Sequence, residues 1–294
     1  METDQHKISR TIEQLSTYES FKFACHQNHD EQPMPSIEVL EKIVSLNRSI
    51  LFPGYFGPSI KNAKTIRSHI ACAVEQLNVL LTDQILAGLL FNRNEDDEEG
   101  RKNLFDKAQS LAAEYISRLP KIREQLLTDV DSTFNGDPAA TSHSEIIFCY
   151  PAIRAVTNYR IAHELLLLGV PFIPRIITEM AHSETGIDIH PGAKIGNYFT
   201  IDHGTGVVIG ATAVIGNNVR LYQGVTLGAK SFPLDEDGNP IKGIPRHPII
   251  EDNVIIYSNA TILGRITIGE GAVIGGNIWV TEDVAKGARI VQKK

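Results

Sequence analysis

The sequence predicts an α+β chain, with an α-helical region over residues 1–186 followed by a solenoid of hexapeptide repeats over 187–290. Three observations predict it. An aliphatic residue recurs every six positions at Ile250, Ile256, Ile262, Ile268, Ile274 and Val280, with a small or branched partner four places later from Val254 to Val284. The same beat opens at Ile189, Ile195 and Ile201 and, after a two-residue slip, continues through Ile209, Ile215, Leu221 and Leu227. Before Gly186 the apolar spacing is instead three and four, the signature of helices. A period of six fits neither a helix nor an alternating strand, whereas three hexads closing one triangular coil would stack the opening residues into buried columns.

The helical elements follow from their stripes. Ser59 to Phe91 lacks Pro and Gly until Gly88 and carries Ile66, Ile70, Val74, Leu77 and Leu81 at helical spacing. The acidic run Asn92 to Gly100 reads as a solvated turn. The next helix begins near Asn103, and its stripe of Leu104, Ala108, Leu111, Ala112 and Tyr115 leads to Pro120. A third block spans Ser142 to about Leu168, with Pro151 where a helix starts or bends. Between Leu227 and Ile250 the beat stops, leaving an excursion loop over 228–249.

Composition narrows the function classes. No apolar stretch approaches the roughly 20 residues needed to span a bilayer, and the polar start Met1 to Arg10 has no secretory core, so a soluble, cytoplasmic protein with no membrane partner is expected. Cys25, Cys72 and Cys149 lie too far apart for a Cys-x-x-Cys metal site and read as idle thiols. A net charge of −7 without a basic cluster argues against nucleic acid.

Polar residues that interrupt the beat carry the chemistry. Asp188 and His203 are fifteen residues apart, a spacing that brings them to the same edge on neighbouring coils, where the carboxylate would orient the imidazole as a general base. His190 reads either as a second such group or as a corner cap bonded to backbone. The slip beside His203 breaks the repeat, and such breaks mark function. In the excursion, Arg246 is suited to a carboxylate and His247 offers another imidazole, while Asp235 to Asp237 read as a solvated tip.

Those residues resemble a known family. Asp188-Ile-His-Pro-x-Ala-x-Ile-Gly, Asp202-His-x-Thr-Gly-Val-Val-Ile-Gly, Val225-Thr-Leu-Gly, Arg246-His-Pro and Ala260-x-Ile-Leu-Gly are similar to serine O-acetyltransferase, a left-handed parallel β-helix enzyme of the hexapeptide acyltransferases. Upstream, Asp137-Pro-Ala and Tyr159-Arg-Ile-Ala-His resemble the helices preceding its β-helix. The resemblance implies acetyl transfer from acetyl-CoA to the L-serine hydroxyl, in L-cysteine biosynthesis, with acetyl-CoA as co-substrate and no metal or resident cofactor. It implies His203 as general base, Asp188 as its orienting acid and His247 as a second active-site histidine. Asp137 and Asp202 would hold the serine ammonium and Arg246 its carboxylate, and acetyl-CoA would meet backbone around Gly228, Ser258 and Gly276. A homotrimer or a dimer of trimers with sites at subunit boundaries, and feedback inhibition by L-cysteine, are further implications.

Two departures shape the expectations. Ala229-Lys230-Ser231 and a long excursion replace the short loop of many members, and the ending Val291-Gln-Lys-Lys294 lacks an isoleucine-terminated tail, so weak or no binding to cysteine synthase is expected. The alternatives are a hexapeptide O-acetyltransferase acting on a sugar or antibiotic hydroxyl, a zinc β-helix enzyme using His190, His203 and His247, and a non-catalytic scaffold.

Overall fold

The computed structural model describes residues 3–22, 24, 33–59, 62–91, 98–231 and 233–292. Cys25 and residues 92–97 of the turn expected over Asn92 to Gly100 lie outside the described residues, and the end of that turn is corrected: the next helix already begins at Glu98, ahead of the expected start near Asn103. The chain forms two compact units, residues 1–33 and 34–294. The first holds α1 (Asp4–Leu15) and α2 (Tyr18–Phe21) and buries none of their residues.

The second unit begins with six helices: α3 (Ile37–Leu51), α4 (Ala63–Leu90), α5 (Glu98–Gly136), α6 (His143–Cys149), α7 (Pro151–Leu167) and α8 (Ile173–Thr185). Asn62 caps α4 through a reciprocal box with Thr65, so the helix starts four residues later than Ser59. Helix α5 runs straight through Pro120 to Gly136. An interior proline costs about 3 kcal/mol, but Ile122, Leu126 and Val130 continue the buried stripe beyond it. Each contributes about 1.5–3 kcal/mol, so burial outweighs the lost hydrogen bond. Pro151 starts α7 at its first turn, where its missing N–H is no loss.

Helix α4 corrects one expectation: it is long and apolar enough, by length and composition, to cross a bilayer. Uncharged Gln76, Asn78 and Thr82 interrupt it, so it shows no unbroken apolar run. Its Leu77, Leu81 and Ile85 are fully buried, and it packs on α3 and α5.

From Asp188 the chain coils into a left-handed parallel β-helix. Its first face comprises β1 (Asp188–Ile189), β4 (Val208–Ile209), β7 (Thr226–Gly228), β10 (Thr261–Leu263) and β13 (Trp279–Val280). The second comprises β2 (Lys194–Ile195), β5 (Val214–Ile215), β8 (Ile249–Ile250) and β11 (Thr267–Ile268). On the third lie β3 (Thr200–Asp202), β6 (Arg220–Tyr222), β9 (Ile255–Ile256), β12 (Val273–Ile274) and β14 (Arg289–Ile290).

Register confirms the hexad columns. Ile189, Ile209, Leu227, Ile262 and Val280 stack on the first face, and all are buried. Val208 pairs with Thr226, three hexads on, whereas Asp188 pairs with Val208, two residues further, because the slip after Ile201 enlarges the first coil. One edge is built from left-handed backbone at Tyr198, Asn218, Asn253, Gly271 and Gly287. Asn and Gly tolerate that region best, and Asn218 Nδ2 donates to Asn253 Oδ1 at 2.8 Å.

Polar bonds join the helices to the first coil. Arg160 on α7 forks onto Asp129 on α5, with Nε to Oδ2 at 2.7 Å and Nη2 to Oδ1 at 2.9 Å, both side chains buried. The same pair reaches the solenoid, since Arg160 Nη2 donates to Gly196 O and Asp129 Oδ1 accepts from Phe199 N. Tyr159 Oη donates to Ala193 O at 2.7 Å, and His163 Nδ1 lies 2.7 Å from Pro191 O. The Tyr159-Arg-Ile-Ala-His segment is therefore the clasp between helices and β-helix. Removing one partner of a buried pair costs about 3–5 kcal/mol, whereas an apolar replacement of both is often neutral. Urea unfolding should therefore show Asp129→Ala losing about that much, and the Asp129→Leu, Arg160→Met double variant recovering most of it; equal loss in both would count against the clasp.

Candidate active site

Asp202 ends β3 at the edge between the third and first faces, and His203 follows in a left-handed conformation at φ 56°. This is the extra loop of the enlarged first coil. Gly204 continues it at φ 94°, where a Cβ would sit 2.5 Å from Ile187 Cδ1, so the turn is closed to larger residues. The result is an imidazole that projects outward, its side chain 76% exposed, with Nε2 3.8 Å from Asp202 Oδ1. Strained backbone of this kind gathers at functional sites.

The end of α5 lies beside it. Arg220 Nη1 donates to Gly136 O at 3.0 Å. Asp137 accepts from Tyr150 Oη at 2.7 Å and from Ala139 N at 2.8 Å. Those two bonds, Tyr150 first, hold the Asp137 carboxyl below its ordinary pKa, with the charges of His203 and Arg220 adding to them. Tyr150 is pushed up to about 12, mainly by the same bond, so it remains a donor. Thr133, Gly136, Asp137, Tyr150, Asp202 and Arg220 line a small cleft here. It offers two carboxylates to a cationic group next to an exposed imidazole.

A second constellation occupies the edge between the first and second faces, where the excursion returns. Thr212 organises it: its Oγ1 accepts from Arg246 N at 2.9 Å and His247 N at 3.1 Å, and lies 2.8 Å from His247 Nδ1. Thr212 N also donates to Nδ1 at 3.1 Å. With Nδ1 accepting, the ring proton sits on Nε2. Burial, then the charges of Arg246, His190 and Arg265, lower the His247 pKa to about 4, so the ring is neutral at ordinary pH. Its imidazole lies on the Cα of Gly210, where a Cβ would come within 1.9 Å of Cδ2.

The structure brings the predicted residues together in two groups. Asp137, Asp202 and His203 share one edge, Arg246 and His247 the other, and the first face lies between them. Asp188 reaches the expected edge, but its expected pairing with His203 is corrected: among the described residues neither bonds the other. The left-handed turn points His203 toward Asp202, and Asp188 Oδ1 lies 3.7 Å from Arg175 Nη1 on α8. Ser258 and Gly276 stack on adjacent coils of one edge, a Gly276 Cβ lying 3.2 Å from Ser258 O, whereas Gly228 ends β7 at the opposite edge of the first face. His190 Nδ1 accepts from Gly192 N at 2.9 Å, the corner cap among its two readings.

Sequence reading missed Tyr150, Arg220 and Thr212. Arg220 had a signal, a cation at an outward position where its register partners are Thr200 and Ile255. Tyr150 and Thr212 had none, because their roles come from contacts 13 and 35 residues away. Among the described residues, the one cluster with metal-ligand spacing is Glu179, His182 and Asp188, which contains none of the three histidines of the zinc alternative.

Comparison with known proteins places this geometry. Residues 247–277 match the family model Bacterial transferase hexapeptide (six repeats). The chain is 50% identical over 262 residues to a plasmid serine acetyltransferase of Synechococcus elongatus, covering 88% of this chain and 82% of that protein. Among solved structures it is similar to Entamoeba histolytica serine acetyltransferase 1 in complex with L-cysteine, at 37% identity and a TM-score of 0.74, covering 97% of this chain and 98% of that one. The Neisseria gonorrhoeae serine acetyltransferase in complex with serine gives 26% identity and a TM-score of 0.55, covering 91% and 98%. At 50% identity over most of its length to a serine acetyltransferase, the chain belongs to the serine acetyltransferase family.

Proposed function

We propose that this chain transfers the acetyl group of acetyl-CoA to the hydroxyl of L-serine, giving O-acetyl-L-serine and CoA. The observation that carries this reading, beyond family membership, is the pairing of an exposed imidazole with carboxylates that suit an ammonium group. A neutral sugar has no ammonium for Asp137 and Asp202 to hold, and neither a sugar nor an aminoglycoside antibiotic has a carboxylate for Arg246.

His203 takes the proton of the serine hydroxyl as the oxygen attacks the thioester carbonyl. The tetrahedral oxyanion then collapses and expels the CoA thiolate, which takes up the proton from the imidazolium. Asp202 lies close enough to stabilise that imidazolium, and Asp188 would join it only by leaving Arg175. His247, neutral with its proton on Nε2, is equipped to donate to the oxyanion rather than to act as base. Arg246 binds the serine carboxylate. Acetyl-CoA, the co-substrate, runs along the first face past Gly228, Ser258 and Gly276. The transfer uses no metal or resident cofactor.

Since the two groups occupy opposite edges of one face, a complete site needs the Asp137–Asp202–His203 edge of one chain to meet the Arg246–His247 edge of another. A homotrimer supplies that arrangement, and a dimer of trimers repeats it. Binding of L-cysteine, carried over from the Entamoeba complex, follows from its sharing the ammonium and carboxylate of serine.

CoA release from acetyl-CoA should depend on L-serine rather than on homoserine, threonine or sugars, and His203→Ala should lower it by about 10²–10⁴-fold. Release that survives the substitution would remove His203 as base. Cysteine inhibition should vanish at saturating serine, and inhibition indifferent to serine would place cysteine elsewhere. The depressed His247 pKa sets a pH trend. Between the ordinary pKa of about 6.5 and about 4, the unfolded chain binds a proton that the folded one does not, so stability falls on acidification, by at most about 1.4 kcal/mol per pH unit. Chemical denaturation across that window should show a shallower fall for His247→Asn.

A further inference from the structure

A cavity with a volume of about 680 Å³ lies between α3, α7 and α8. That is within the range of about 300–1,000 Å³ typical of small-molecule sites. Ile37, Val44, Ile176 and Met180 give it an apolar lining, and Arg48, Arg154 and Asn158 add polar groups. Nothing in the acetyl transfer uses it.

Most of its charged groups are paired. Glu184 pairs with Arg154, and Glu179 pairs with Arg175 and lies 3.1 Å from His182 Nδ1. Arg48 is different. Its guanidinium lies 4.0 Å over the ring of Phe56, and among the described residues it has no hydrogen-bond acceptor and no ion-pair partner. Burial and then the charge of Arg154 disfavour its cation, which Glu184 partly offsets, so a carboxylate placed against the guanidinium would stabilise the charged form. One turn beyond Arg154, Asn158 is 4% exposed; its Nδ2 donates to Ile177 O at 3.1 Å while its Oδ1 finds no donor among the described residues. Glu41 stands exposed at the rim of the same cavity.

We propose that this cavity binds a small carboxylic acid with an apolar body and a hydrogen-bond donor beside the carboxylate, as in an apolar α-amino or α-hydroxy acid. Arg48 takes the carboxylate, Asn158 Oδ1 accepts from the α donor, and Ile37, Val44, Ile176 and Met180 receive the side chain. A single unpaired guanidinium with Glu179 and Glu184 nearby matches one negative charge better than a phosphate dianion. The site is separate from the serine site, because its walls are helices α3, α7 and α8 and not the edges of the β-helix.

Titration calorimetry on the full chain, with L-leucine as probe, tests it. L-leucine should bind, 3-methylbutylamine, which lacks the carboxylate, should bind at least about tenfold more weakly, and inorganic phosphate should not compete. 4-Methylpentanoate, lacking the donor, should fall between the two. Arg48→Met should weaken L-leucine about tenfold or more, and Met180→Trp, which fills the apolar end without touching Arg48, should also abolish the heat. His203→Ala should bind L-leucine as the unaltered chain does. The proposal is overturned if L-leucine gives no heat at millimolar concentration, if the amine binds as tightly, or if folded Arg48→Met and Met180→Trp both keep the affinity. Loss of binding in His203→Ala would likewise overturn it, by moving the probe to the serine site.

Discussion

Every coil of a β-helix is covered by its neighbours except the terminal ones, and here the first coil is joined to the helices by a buried ion pair. Asp129 and Arg160 answer each other in a two-point fork and make further bonds to Phe199 N and Gly196 O. A buried pair satisfied on all sides adds little net stability over an apolar pair, yet it is costly to break. What it fixes is register. The α5 helix cannot slide along the solenoid without leaving a charge unpaired, and so the end of α5 arrives beside the Asp-His turn. The small cleft with Asp137 and Asp202 is a downstream consequence of that fork.

The Asp-His turn is itself a product of irregularity. A solenoid of uniform hexads offers only stacked side chains on flat faces and repeated corners, with little to distinguish one coil from the next. Two extra residues after Ile201 enlarge one coil, force His203 into the left-handed region and push its ring into solvent. The excursion before Ile249 does the same on the other edge, returning as Arg246 and His247 anchored on the Thr212 hydroxyl. The chemistry thus sits at the two breaks in the repeat, and the regular coils between them act as a spacer of fixed width. On the proposed reading that spacer makes single-chain catalysis impossible and assembly part of the mechanism.

The electrostatics of the two edges differ in kind. On the Asp137 side, hydrogen bonds from Tyr150 and Ala139 favour the charged carboxylate, which suits a group meant to hold a cation. At His247, burial and neighbouring cations favour the neutral imidazole, and with Nδ1 held by Thr212 the ring presents its Nε2 proton and is only weakly basic. On the proposed reading, His203 and His247 divide their roles by environment.

Much of the architecture was legible in the sequence because burial in a solenoid is periodic: each hexad must supply one aliphatic to its column, and Ile189 through Val280 do so in phase. The breaks were legible for the same reason, and with them His203, Arg246 and His247. Helices α3 and α8 went unread, since their stripes are short and only tertiary packing completes their burial. The continuation of α5 past Pro120 was likewise decided by the core, where three buried aliphatics outweigh one missing hydrogen bond. Partners were the least legible feature. Sequence spacing brought Asp188 to the right edge, but side-chain direction in a left-handed turn gave His203 to Asp202 and Asp188 to Arg175. Tyr150 bonding Asp137, and Thr212 fixing the proton on His247 Nε2, depend on contacts between distant segments, and a hydrogen bond exists only where folding has set both atoms within about 3 Å of each other.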